Sequence, residues 1–151
     1  MNITNVLVVD DDVAICRIVR RMLSNERCDV QMSQSVAGAH EAIEQKPFDV
    51  YVLDYKLPDG SGLDVAEWIR SKRDAAPIIF MSGYDPHDVA LRAEKLHIAH
   101  FLEKPFSREL ICDALKKAVD STSPAPAASV PQRQPVEQRR QNVISKILSR
   151  F

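Results

Sequence analysis

The sequence predicts an α/β fold, a parallel sheet covered by helices on both faces. Five short apolar runs rich in β-branched residues recur between residues 5 and 103, with segments of helical spacing between them. The runs are continuously apolar, as strands buried on both faces must be, and strand and helix alternate five times. The size agrees: 151 residues, 45% hydrophobic and 27% charged, describe one globular domain with room for an appendage.

The first run, NVLVV (5–9), ends in Asp10, Asp11 and Asp12. Ile15, Ile18, Val19, Met22 and Leu23 then share one helical face, and Asp12 just before them suits an N-cap. The second strand is DVQMS (29–33), followed by a helical face of Val36, Ala39, Ala42 and Ile43. The third, DVYVLD (49–54), ends in a lone acid, Asp54. LPDGSG (57–62) is turn chemistry, which makes Asp59 a turn residue. Asp64 lies near the start of a helix faced by Leu63, Val65, Ala66 and Ile69, where negative charge is favoured. PIIFMS (77–82) ends in Ser82 and is followed by Gly83; Val89, Ala90, Ala93 and Leu96 form a weaker fourth helical face. AHFLE (99–103) precedes Lys104 and Pro105. Leu110, Ile111, Ala114, Leu115 and Ala118 form the fifth helical face, with Ser107 as its N-cap.

After Asp120 the texture changes. Residues 1–120 hold 15 Lys and Arg against 20 Asp and Glu; residues 121–151 hold five against one. The expected organisation is a domain over 1–120, a Pro/Ala-rich linker over 121–135 and a basic amphipathic helix over 136–151. The linker holds four of the nine prolines and, extended, reaches on the order of 45 Å. In the tail, Val136, Val143, Ile144, Ile147, Leu148 and Phe151 share an arc of roughly 140°. A lone helix of that length is marginal in water and needs a cover: a second tail, a partner's groove or a membrane surface.

Several function classes are disfavoured. No apolar run is long enough to span a bilayer, and MNITNVLVVDDD lacks the pattern of a signal peptide. Cys16, Cys28 and Cys112 are scattered without metal or redox spacing, so reduced thiols and a cytoplasmic setting are expected. The histidines do not cluster with them, and no zinc site is suggested.

Ligands of a parallel α/β sheet bind beyond the carboxyl ends of its strands. Those ends carry Asp10, Asp11 and Asp12, then Asp54, then Ser82, then Lys104. Any one such acid is ordinarily a cap or turn residue, but acids, hydroxyl and ammonium at the ends of four strands in order are not explained that way. Carboxylates brought close repel, and a hard cation such as Mg²⁺, which takes oxygen ligands, relieves this. Ser82 and Lys104 suit phosphoryl oxygens, and a carboxylate at the centre can attack phosphorus to form an aspartyl phosphate.

In LVVDDD (7–12), VLDYKLPDGSG (52–62), IIFMSG (78–83) and FLEKPF (101–106), the chain resembles the receiver domains of two-component response regulators over about residues 3–120. The resemblance implies a flavodoxin-like fold with strand order 2-1-3-4-5. It implies Asp54 as phosphoacceptor, Asp11 as a direct Mg²⁺ ligand, Asp10 as one acting mainly through water, and the Lys56 backbone carbonyl as a further ligand. Ser82 matches the hydroxyl that follows the phosphoryl group, and Lys104 the ammonium that bonds it, before a cis Lys104–Pro105 peptide. Phe101 stands where the switch aromatic is often Tyr; it can swing between rotamers without a hydroxyl bond, coupled to Ser82. The side chains of Lys56 and Tyr84, two residues after Asp54 and Ser82, are expected to overhang the path of attacking water and slow hydrolysis.

The implied function is a phosphorylation-controlled switch, fed by a sensor histidine kinase or a histidine phosphotransfer protein. It is not an enzyme beyond its own phosphorylation and dephosphorylation. Output is expected through a downstream protein partner, or a homodimer formed through the fourth helix, fifth strand and fifth helix or through the tail. The tail is too short for a helix-turn-helix domain, so direct sequence-specific DNA reading is not expected. A phosphatase of haloacid-dehalogenase type should carry a second acid two residues after the nucleophile, where Lys56 stands. A flavin carrier should open its first strand into a hydroxyl- and glycine-rich phosphate loop, which DDD contradicts.

Overall fold

The computed structural model describes residues 4–24, 26–82 and 92–122, the last two by main chain alone. In chain order they form β1 (Thr4–Val9), α1 (Val13–Leu23), β2 (Cys28–Ser33), α2 (Val36–Gln45), β3 (Val50–Asp54), β4 (Lys56–Leu57), β5 (Gly60–Ser61) and α3 (Gly62–Ser71). β6 (Ile78–Ser82), a helical stretch over residues 92–95 (α4), β7 (His100–Glu103) and α5 (Arg108–Thr122) complete them. Five strands pair in parallel in the order β2-β1-β3-β6-β7, while β4 and β5 make a separate antiparallel hairpin. With the hairpin set aside, this is the expected order.

Side chains alternate along each strand and so divide the core between the two faces. Leu7, Val9, Tyr51, Leu53, Ile78 and Phe80 face α2, α3 and the 93–96 region. Val6, Val8, Val50, Val52, Ile79 and Met81 face α1 and α5. Two expected core residues lie outside: Ile18 is 48% exposed and Leu110 55%. The buried stripe of α1 is Cys16, Val19 and Leu23, and Ile18, two residues beyond Cys16, points roughly 160° from Cys16. Ile111, Leu115 and Ala118 fill the stripe of α5, and Leu110 sits one residue off it. That helix runs to Thr122, ahead of Pro124, which disfavours helix at the residue before it.

The helix starts are set by side chains. Asp12 accepts from Ala14 N–H at 2.9 Å, Ser35 from Gly38 N–H at 2.9 Å, and Ser107 from Leu110 N–H at 3.2 Å. Ser61 and Asp64 form a reciprocal capping box at α3. At the opposite end of the sheet, the half-buried Arg70 donates to the carbonyls of Leu96, Asp74 and Ala76, each at 2.8 Å, and of His97 at 3.3 Å. Burial pulls its pKa below the ordinary arginine value. The Tyr51 hydroxyl donates to Asp74 at 2.7 Å, in the same corner. Across the α2–α3 seam, the His40 and Trp68 rings stack with centroids 4.4 Å apart, Lys72 Nζ lies 4.5 Å over the indole, and Lys72 pairs with Glu44 at 2.8 Å.

Candidate functional site

The topology brings the ends of β1 and β3 together where strand order reverses, and the acids stand at that crevice. Asp10 is wholly buried, Asp54 is 7% exposed, and Asp11 is exposed. One carboxylate oxygen from each lies within 4.8 Å of the others. Lys104 enters from the end of β7, its Nζ donating to Asp10 at 2.5 Å and pairing with Asp54 at 3.2 Å. The Lys104–Pro105 peptide is cis, as expected.

The main chain fixes this arrangement. Asp10 N–H donates to the Ser33 carbonyl at 3.1 Å, and the Asp10 carboxylate accepts from Asp12 N–H at 2.9 Å. The Cys16 thiol donates to the Asp10 carbonyl at 3.4 Å; burial, then the Asp10 charge, pushes that thiol up to about 11. Asp54 stands opposite Met81 in the β3–β6 ladder. Helix α3 begins against its backbone: a Cβ on Gly62 would lie 2.1 Å from the Asp54 carbonyl oxygen, so only glycine fits there.

Burial, then the neighbouring Asp10 charge, pushes Asp54 up to about 6, with Lys104 opposing both. Burial pulls Lys104 down, but its hydrogen bond to Asp10 and the charges of Asp54 and Asp10 more than offset that, and it is held above the ordinary lysine value. The donor set is all oxygen, two of its three acids are buried, and one ammonium does not balance three carboxylates. Such a set fits a hard divalent cation.

Asp10, Asp11, Asp54 and Lys104 are thus brought together. Ser82 ends β6 directly after Met81, and its carbonyl accepts from Lys104 N–H at 3.1 Å. Phe101 is half-buried against Phe80, ring centroids 6.2 Å apart. Lys56 is exposed in β4. Tyr84, and everything expected of the linker and tail from residue 123 on, lie outside the described residues.

Asp59 holds more than a turn: its two oxygens accept from Val36 N–H at 2.8 Å and Ala37 N–H at 3.0 Å at the start of α2. These bonds hold its carboxyl below the usual carboxylate range. Sequence reading missed this because the partners lie more than 20 residues back, beyond any local pattern. It also missed Cys16 and Gly62; the G of LPDGSG signals a close approach, without naming what approaches.

All but the ends of this chain match the family described as the response regulator receiver domain, over residues 6–116. The acid tolerance regulatory protein ActR of Rhizobium meliloti is 37% identical over 111 residues, covering 74% of this chain and 57% of ActR. The response regulator protein PilR of Pseudomonas aeruginosa is 32% identical over 124 residues, covering 80% of this chain and 28% of PilR. The chain therefore spans about half or less of the length of these curated relatives. The crystal structure of a CheY-like response regulator receiver domain protein from Methanospirillum hungatei superposes with a TM-score of 0.76 at 23% identity, covering 80% of this chain and 96% of that one, a likeness of fold. No helix among the described residues is long and apolar enough to cross a membrane. With this fold, an acid cluster at the switch point and a family match over most of its length, the chain belongs to the response regulator receiver domains.

Proposed function

We propose that this chain is a phosphorylation-activated response regulator that accepts a phosphoryl group on Asp54 from a histidine kinase or histidine phosphotransfer protein. The observation that carries the reading is the buried Asp54 at the end of β3, within reach of both Lys104 and the acids of β1. In the step, an Asp54 carboxylate oxygen attacks phosphorus. The P–N bond of the donor phosphohistidine breaks, and its electron pair stays on the imidazole nitrogen. Asp10, Asp11, Asp54 and the Lys56 carbonyl would hold Mg²⁺, which when bound supplies counter-charge for the phosphoryl oxygens. Lys104 holds one phosphoryl oxygen, so its ammonium pairs with phosphoryl charge in place of the carboxylate charge that Asp54 loses on becoming a mixed anhydride. The Ser82 hydroxyl follows another oxygen, and Phe101 turns inward as Ser82 moves. The side chains of Lys56 and Tyr84 restrict attacking water and set the lifetime of the mark.

The chain's own chemistry in this reading is phosphorylation and its reversal. Output runs by protein contact, through the surface of α4, β7 and α5 or through the basic segment 136–151 beyond the linker 121–135, to a partner or a second copy. All three cysteines are free, which fits a cytoplasmic setting.

Incubation of the full chain with Mg²⁺ and acetyl phosphate, followed by intact-mass measurement, tests the reading. One phosphate per chain is expected, lost on chelation and in Asp54→Ala. Rapid turnover of a phosphoester with no adduct would point to a phosphatase instead.

A further inference from the structure

The hairpin that follows Asp54 is fastened at three places. At its root, Tyr55 N–H donates to the Met81 carbonyl at 3.2 Å, and Gly62 N–H to the Tyr55 carbonyl at 2.8 Å. At its exit, the Ser61–Asp64 capping box opens α3. At its tip, Asp59 spends both carboxylate oxygens on Val36 and Ala37 of α2. The third tie is the unusual one, because α2 already has its own cap. Ser35 Oγ accepts from Gly38 N–H at 2.9 Å, and the Ser35 carbonyl from Ala39 N–H at 3.0 Å. Each hairpin strand is only two residues long, Lys56 opposite Ser61 and Leu57 opposite Gly60. So short a hairpin has no independent stability, and its shape depends on its anchors.

The geometry points to Asp59 as a positioning residue for the metal site: by tying the hairpin tip to α2, it fixes the main chain of Lys56 beside Asp54. The inference rests on the reading of Asp10, Asp11, Asp54 and the Lys56 carbonyl as the Mg²⁺ ligands. Asp59 acts through the hairpin, in the way that groups behind a ligand set its orientation and thereby its affinity. The entropy of ordering the Lys56 carbonyl is then met on folding, before a cation arrives.

The test is Mg²⁺ binding to the full chain by titration calorimetry, with no phosphodonor present. Asp59→Ala should weaken the dissociation constant on the order of tenfold. Asp59→Asn keeps an oxygen acceptor without the charge and should recover part of the loss. Ser35→Ala removes the cap that α2 owns; it should lower the melting temperature and leave Mg²⁺ affinity unchanged. Equal affinity in wild type and Asp59→Ala, with both alanine variants less heat-stable, would make Asp59 a helix cap and nothing more. An Asn variant as weak as the Ala variant would assign the effect to lost charge, and overturn positioning. If wild type shows no saturable Mg²⁺ binding abolished by Asp11→Ala, the reading of the site falls, and the role of Asp59 with it. Asp59→Asn, the milder change, carries the test should the alanine variant fail to fold.

Discussion

At neutral pH the Asp54 carboxylate holds a charge in surroundings that disfavour it. Its native pKa, raised to about 6 by burial and by Asp10, exceeds the ~3.9 of an unfolded aspartate. Between those values the native state binds more protons than the unfolded one. Stability therefore falls as pH rises through that window, and ionised Asp54 is a net cost above it. In chelated, metal-free protein, Asp54→Asn should raise stability at pH 7 by ~1–2 kcal/mol, less than the full shift because Lys104 loses a partner. The gain should vanish by pH 4; thermal melting of both proteins across that range checks it, and an equal gain at both ends would contradict the assignment. Asp59 has the opposite sign: its depressed native pKa gives stability that is present above the unfolded value and lost as pH falls through the native one. At this scale the sequence was readable where the candidate site lies at strand ends. Asp10, Asp11, Asp54 and Lys104 follow apolar runs that locate them. Asp59 was read as a turn residue because its partners belong to another element, and no local pattern encodes a bond across the fold.

Elements meet here through backbone as much as through side chains. Gly62 lets α3 begin directly on the Asp54 main chain, and Phe80 lies 3.2 Å from where a Cβ would stand. Gly62→Ala must push α3 off the end of β3. It should destabilise the fold by ~1–3 kcal/mol and slow Asp54 phosphorylation by acetyl phosphate; unchanged melting and labelling together would show that the helix start yields freely. At the other end, Arg70 joins the end of α3 to the turn that precedes β7 through the carbonyls of Leu96 and His97, and to the loop before β6 through those of Asp74 and Ala76. Arg70→Ala should cost about 2–3 kcal/mol and speed amide exchange in residues 96–99; exchange confined to α3 would show that the clamp does not hold that turn. Existence and order of the elements followed from periodicity, but their faces followed less well. Ile18 and Leu110 were placed on the core faces by helical spacing, whereas the stripes actually buried are narrower, Cys16, Val19 and Leu23 in α1 and Ile111, Leu115 and Ala118 in α5. The hairpin was legible only as a turn, since two-residue strands leave no alternation to read.

For the molecule as a whole, a parallel sheet sends every carboxyl strand end to one side, which gathers Asp10, Asp11 and Asp54 there and would make a bound cation a source of stability. Mg²⁺ at ten times its dissociation constant should add ~1.4 kcal/mol, a rise of a few degrees in melting temperature that Asp11→Ala should abolish. An equal rise in that variant would place the cation elsewhere. Alternation of strand and helix made the architecture legible, but strand order came only from the family resemblance, because periodicity says nothing about which strands pair. The chain has a single tryptophan, and it is Trp68 of α3, face to face with His40 of α2. Indole emission responds to the groups packed against the ring, so the brightness of this one residue reports the spacing of α2 and α3. The α2–α3 seam therefore carries its own lamp, and its opening can be followed by ultraviolet fluorescence with no label added.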